Sequence, residues 1–193
     1  MGQAPNGFAP PGEEDAASAD VRLAQQGDGA AYARLVERYQ GAIARQMWRF
    51  TRDATAHREL VQDVFVNAYT SLNGYRGSGP FLHWLRKIAV RTGYAFWRAN
   101  RRRRRERSLD PETAARIADA PEDHTAAEAA ELVHDVLSRL PERDRLVLTL
   151  FYLEGRTVAE IAHLLGWSRS MVKVQSWRAR RKLRRLLEAA GVP

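Results

Sequence analysis

Residues 157–187 read TVAEIAHLLGWSRSMVKVQSWRARRKLRRLL. Thr157 and Glu160 have the spacing of a capping box, a hydroxyl at the cap and a carboxylate three residues on. Val158, Ile161, Ala162, Leu164 and Leu165 then recur at the three- and four-residue steps of a short amphipathic helix. Gly166 permits the tight turn that ends it. A longer basic helix follows, starting near Ser168 or Ser170 and running to about Leu187. Short helix, glycine turn, basic helix is a helix-turn-helix order: the first helix braces the second, and the second can lie in the major groove of DNA. Val158, Ile161, Ala162, Leu165, Val172 and Trp177 are the expected core of the brace. Ser168, Arg169, Ser170, Met171, Lys173, Val174, Gln175, Arg178 and Arg181 are the expected DNA-facing residues. Gln175 has the amide to pair bidentately with adenine, and Lys173 or Arg178 suits guanine or phosphate. An ordinary helical hairpin with a basic exterior would share the pattern.

Upstream of this unit, helical spacing recurs from Asp20 onward and strand signals are nearly absent, so the chain is expected to be all-α. Asp28 can cap a helix carrying Tyr32, Leu35, Val36, Tyr39 and Ile43 on one face. A second helix from about Thr55 carries Leu60, Val61, Val64, Phe65, Ala68 and Leu72. Residues 73–80, NGYRGSGP, form a turn. A third helix is expected from Phe81 to about Arg105, with Trp84, Leu85, Ile88 and Ala89 on its apolar face and a break near Gly93. Pro141 opens a further helix ending near Gly155. The expected organisation is two small helical domains joined by an acidic linker, the C-terminal one a helix-turn-helix. The segments are a disordered tail over 1–19, a first domain over 20–107, the linker over 108–127 and a second domain over 128–190.

The net charge of +8 hides a sharper pattern. Residues 76–107 hold eleven Lys or Arg against one acid, Glu106, and residues 168–188 hold eight against one. Between them, residues 109–135 hold eight acids against Arg116 alone. Two basic patches, each mixed with aromatics, point to nucleic acid. A membrane-surface helix would need a broad apolar face opposite the arginines, which neither patch has. In the first patch Tyr94, Phe96 and Trp97 stand among arginines. Rings that stack on unpaired bases and guanidinium groups that hold phosphates together suit single-stranded nucleic acid.

Other classes find little support. The absence of cysteine excludes disulfides, thiol nucleophiles and Cys-ligated zinc, and it fits a reducing cytosol. No apolar run approaches the roughly 20 residues of a membrane span, and the N-terminus lacks the basic start and apolar core of a secretory signal. His57, His83, His124, His134 and His163 are scattered, each better read as a surface residue than as a ligand. No phosphate-cradling loop or nucleophile elbow is present. No enzyme activity, cofactor, metal or small-molecule substrate is therefore expected.

From about Asp20 to Leu187 the chain resembles the extracytoplasmic-function (ECF) group of bacterial sigma factors. Gly27-Asp28 with Tyr32, Leu35 and Tyr39 looks like the start of sigma region 2. Residues 59–65, ELVQDVF, look like the segment that grips the polymerase, so the resemblance implies polymerase contacts by Glu59, Leu60, Gln62, Asp63, Phe65 and Asn67. Residues 81–105 look like the part that melts and reads the minus-ten element. That implies single-strand contacts by Trp84, Lys87, Arg91, Tyr94, Phe96, Trp97, Arg98, Arg101 and Arg102. Residues 137–143, LSRLPER, and 157–187 resemble region 4, which reads the minus-thirty-five element. The resemblance implies a cytoplasmic protein that binds core RNA polymerase and promoter DNA and is held by an anti-sigma factor. The family usually has asparagine where Arg91 stands and aspartate where Ala95 stands. It has small hydroxyl residues at the places of Met171 and Val174, and a basic residue at that of Gln175. A stand-alone helix-turn-helix regulator is the rival reading. It would need a dimerisation or sensing domain, for which the first unit shows neither a pocket signature nor a heptad seam.

Overall fold

The computed structural model describes residues 11–107 and 133–189. The tail over 1–10 and the linker expected over 108–127 lie outside the described residues. All regular structure described is helical: α1 (Pro11–Gln25), α2 (Gly29–Met47), α3 (Ala54–Ser71), a 3₁₀ turn (Leu72–Gly74) and α4 (Phe81–Arg107). A helical stretch over 133–138 follows, then α5 (Glu142–Leu148), a π-helical turn (Thr149–Leu153), α6 (Val158–Leu165) and α7 (Arg169–Ala189). The described residues divide into two compact units, those within 1–48 and 53–92 and those within 49–52 and 93–193. The division falls within α4 rather than after residue 107.

In the first unit α1 begins at Pro11, inside the stretch expected as a tail. Ala17, Val21 and Ala24 give it a buried stripe, which is what makes helix there worthwhile. Asp20, itself buried, receives Arg34 at 2.7 Å and ties α1 to α2. Asp28 caps α2 through Ala30 and Ala31 N–H, and Asp53 caps α3 through Ala56 N–H. α2 packs on α3, and Leu35, Ile43 and Met47 of α2 and Leu60, Val64 and Ala68 of α3 are buried, as are Leu85 and Ala89 of α4 in the same unit. The Tyr32 hydroxyl donates to the Phe65 carbonyl at 2.5 Å. Burial, the larger influence, pushes that hydroxyl up to about 12. His57 is not a surface residue. It is buried, stacks on Trp48 at 3.9 Å, and donates from Nε2 to the Ala44 carbonyl at 2.8 Å.

In the second unit α4 does not break at Gly93. The ring of buried Phe50 lies against Gly93 so closely that any Cβ would collide with it. The glycine is there for close approach, and a helix interior tolerates it at a cost of about 1 kcal/mol. Leu137, Leu140, Leu148 and Ala179 form a core on which Leu183 and Leu186 pack. The α6–α7 motif folds as its spacing predicts. Thr157 Oγ1 accepts from Glu160 N–H at 3.3 Å, and the Glu160 carboxylate accepts from Thr157 N–H at 2.8 Å. Gly166 sits at φ +69°, and the N–H groups of Gly166 and Trp167 both close on the Ala162 carbonyl. Ser168 Oγ then accepts from Met171 N–H at 3.1 Å and starts α7.

Candidate nucleic-acid interface

α7 is held by its inner face. Val172, Ser176 and Ala179 are buried against the unit, together with Ile161 and Ala162 of α6. Val158 and Leu165 are half-buried at the edge of that core. Trp177, expected in the core, is 59% exposed, because it stands about 140° around the helix from Val172. Its ring instead supports the Arg181 guanidinium at 5.7 Å. Ser168, Arg169, Ser170, Met171, Lys173, Val174, Arg178 and Arg181 all lie exposed, as a groove-facing surface requires.

Gln175 is the exception among the expected readers. It is half-buried and donates from Nε2 to Asp144 Oδ1 at 2.5 Å. The other oxygen of Asp144 receives Lys182 Nζ at 2.6 Å, and Asp144 is itself 1% exposed. This buried carboxylate, on α5, joins α7 at two points two turns apart on one face. Its role was not visible in the sequence, where Asp144 is one acid in a Pro-Glu-Arg-Asp-Arg run.

The minus-ten set divides. Arg91 lies exposed on α4 in the first unit, with Lys87 half-buried nearby along the helix. Trp84 is half-buried in an aromatic cluster with Phe81 (5.3 Å between centroids) and Tyr75 (5.4 Å), so it supports the fold more than it offers a stacking face. In the second unit Trp97 is 4% exposed, its indole N–H donates to the Phe50 carbonyl at 2.7 Å, and Arg145 lies over its ring at 3.9 Å. Trp97 is therefore a core residue with a satisfied donor, not a stacking platform. Tyr94 and Phe96 are half-buried, Arg98 and Arg102 are exposed, and Arg101 pairs with Glu142 at 2.6 Å.

The polymerase set divides in the same way. Glu59, Gln62, Asp63 and Asn67 stand on the exposed face of α3, Asn67 donating to Thr92 Oγ1 at 3.1 Å. Leu60 and Phe65, named with them, are 2% and 8% exposed and point into the core. Their neighbours Val66 and Tyr69 carry the exposed apolar surface of that face at 53% and 51%. A helical projection of residues 59–70 could have separated the two sets. Reading the segment as one unbroken motif hid the difference.

Among the described residues no group of His, Cys, Asp or Glu is placed to hold a metal ion, and no helix is long and apolar enough to cross a membrane.

Two units, helical in their described residues, one ending in a capped helix-turn-helix with a basic outer helix, define a helix-turn-helix protein built to meet a polyanion. The sigma-70 region 2 family matches residues 35–103 and the sigma-70 region 4 family matches residues 122–183. An ECF RNA polymerase sigma-E factor of Haemophilus influenzae is 32% identical over 169 residues, covering 83% of this chain and 89% of that protein. An RNA polymerase sigma-H factor of Pseudomonas aeruginosa is 30% identical over 177 residues, covering 87% and 92%. The structure of CnrH in complex with the cytosolic domain of CnrY superposes with a TM-score of 0.57 at 27% identity, covering 91% of this chain and 99% of that one. Sigma factor RpoE of Bartonella quintana, solved with the anti-sigma factor NepR, shares the fold at a TM-score of 0.55 and 18% identity, covering 81% and 96%. The chain belongs to the ECF sigma factors of the sigma-70 family.

Proposed function

We propose that this chain binds core RNA polymerase in the cytoplasm, directs it to promoter DNA and assists melting there, while the polymerase performs all the chemistry. The observation that carries the reading is α7, a helix capped at Ser168, braced by α6 and turning a basic, exposed face outward. The outer face of α3 supplies the polymerase contact through Glu59, Gln62 and Asp63, extended by Val66 and Tyr69. Arg98 and Arg102 hold the melted strand by its phosphates, and Tyr94 and Phe96 offer the half-exposed rings on which bases stack. An anti-sigma factor is the implied antagonist, in keeping with the complex in which RpoE of Bartonella quintana was solved.

Run-off transcription with purified core polymerase tests the reading directly. Glu59→Lys with Asp63→Lys should abolish polymerase binding and open-complex formation while leaving helical content and weak DNA affinity intact. A stand-alone regulator would be indifferent to that change and would bind its operator tightly with no polymerase present.

A further inference from the structure

α7 presents an apolar line where a phosphate-binding helix has no use for one. An α-helix turns about 100° per residue. The inward direction is set by Val172, Ser176 and Ala179, with half-buried Leu183 and Leu186 alongside. On that geometry Val174 stands about 160° from the inward direction and Trp177 about 140°, while Gln175 stands only about 60° from it. Val174 and Trp177 therefore lie on the outer half of the helix, beside Arg181 at about 180° and Ser170 at about 160°, and the amide expected to read adenine is turned toward Asp144. Met171, Val174 and Trp177 are 39%, 49% and 59% exposed. Around them stand Arg169, Lys173, Arg178 and Arg181, all exposed.

A basic collar around an apolar line calls for a polyanion with an apolar group recessed between its charged strands. The major groove meets that description. Phosphates flank it, and thymine alone among the four bases carries an apolar substituent there, the C5-methyl group. We propose that Val174 and Trp177 read thymine C5-methyl groups in the upstream promoter element, while Arg178 and Arg181 fix the helix on the flanking phosphates. The proposal rests on α7 being the groove helix, as put forward above. It assigns specificity to apolar contact and takes it away from Gln175, which becomes a positioning residue through Asp144.

The test removes the methyl and nothing else. Holoenzyme made from the full chain and core polymerase of the same organism selects duplexes from a pool randomised over the upstream element. The selected duplex is then resynthesised with deoxyuridine in place of each thymine, one position at a time. Burying one methyl is worth about a fourfold change in affinity, so one or two positions should each weaken binding by about fourfold. Val174→Ala should remove the uracil penalty at one such position and Trp177→Ala at the other. Both side chains are exposed, so neither variant should disturb the fold, and Val174→Ala alone suffices if Trp177→Ala does not fold. A selected element without A·T pairs would overturn the proposal. So would full indifference to deoxyuridine with Arg178→Gln and Arg181→Gln still weakening binding, which would leave α7 as the groove helix. Indifference to the uracils and the arginine changes alike would remove α7 from the groove and the proposal with it. Were the line a seat for a second copy of the chain, Trp177→Ala would change sedimentation and leave the uracil penalty intact, which also overturns it.

Discussion

Replacing Asp144 by alanine probes how α7 is held. The carboxylate is buried and accepts from Gln175 Nε2 at 2.5 Å and Lys182 Nζ at 2.6 Å. A hydrogen bond to a charged group is worth about 1.5–3 kcal/mol. The Lys182 share must be discounted, because its side chain is 48% exposed and regains water when released. The half-buried Gln175 amide loses more, since its partner is replaced by a methyl group that accepts nothing. The expected net loss is about 2 kcal/mol, localised to the packing of α7 on α5. Native-state hydrogen exchange in the full chain reads this directly. Amides of α7 that exchange by local opening should do so about thirtyfold faster in Asp144→Ala, since each 1.4 kcal/mol is a factor of ten. Asp144→Asn, which keeps an acceptor for Gln175 and loses the charge facing Lys182, should fall between. The double variant with Gln175→Ala should be less damaging than the sum of the singles, with a coupling of at least about 0.5 kcal/mol. Exchange in α7 unchanged within a factor of about two, or strict additivity with Gln175→Ala, would refute the anchoring role.

Gly93→Ala should destabilise the protein by about 1–3 kcal/mol despite alanine's better helix propensity, because the new methyl meets the buried ring of Phe50; a raised melting temperature would contradict this. Thr157→Ala should cost about 1 kcal/mol through loss of the capping box, measured by chemical denaturation. The same box holds the Glu160 carboxyl below its usual range through the Thr157 backbone and hydroxyl hydrogen bonds, so its contribution persists above that range and fades as pH falls through the lowered value. His134 is pulled down to about 4, chiefly by burial and then by Arg145 and Arg52. Between that value and its ordinary 6.5 the unfolded chain binds more protons than the folded one, so stability is lost as pH falls from 6.5 toward 4. Melting temperatures across that window should show the loss, and His134→Gln should flatten the slope.

The helix-turn-helix was legible because its signals are local. A capping box, an apolar repeat and a glycine turn each fix structure within a few residues, and all three stand where the spacing puts them. What the sequence hid was direction. Trp97 and Trp177 both sit among arginines, and the structure reverses what is expected of them: Trp97, expected as a stacking face, is buried under Arg145, and Trp177, expected in the core, is open to solvent. Only tertiary packing distinguishes them. Gln175 fell outside the expected surface for a related reason: its partner Asp144 is thirty-one residues away, beyond any periodicity argument. Leu60 and Phe65 were grouped with Glu59 and Asp63 because a motif is read as a string, whereas a helix sorts the same string onto two sides. The start of α1 was missed because alanines and acids within residues 11–20 read as a tail. Burial of Ala17 and Asp20 supplies the stabilisation that propensity alone does not.

That sorting on α3 has a consequence for how such a protein diversifies. Leu60, Val64, Phe65 and Ala68 answer to the interior, while Glu59, Gln62, Asp63, Val66 and Tyr69 answer to whatever meets the outside. Two messages are interleaved in one short stretch with almost no shared letters. Drift on the outer set is nearly free of folding cost, since surface substitutions away from caps and cores typically shift stability by only about 0.5 kcal/mol. With the outer face meeting the polymerase as proposed above, a genome carrying many such chains could retune how strongly each competes for that common partner by editing five outer positions. An engineer seeking mutually insulated variants could write on the same five and leave the inner set untouched.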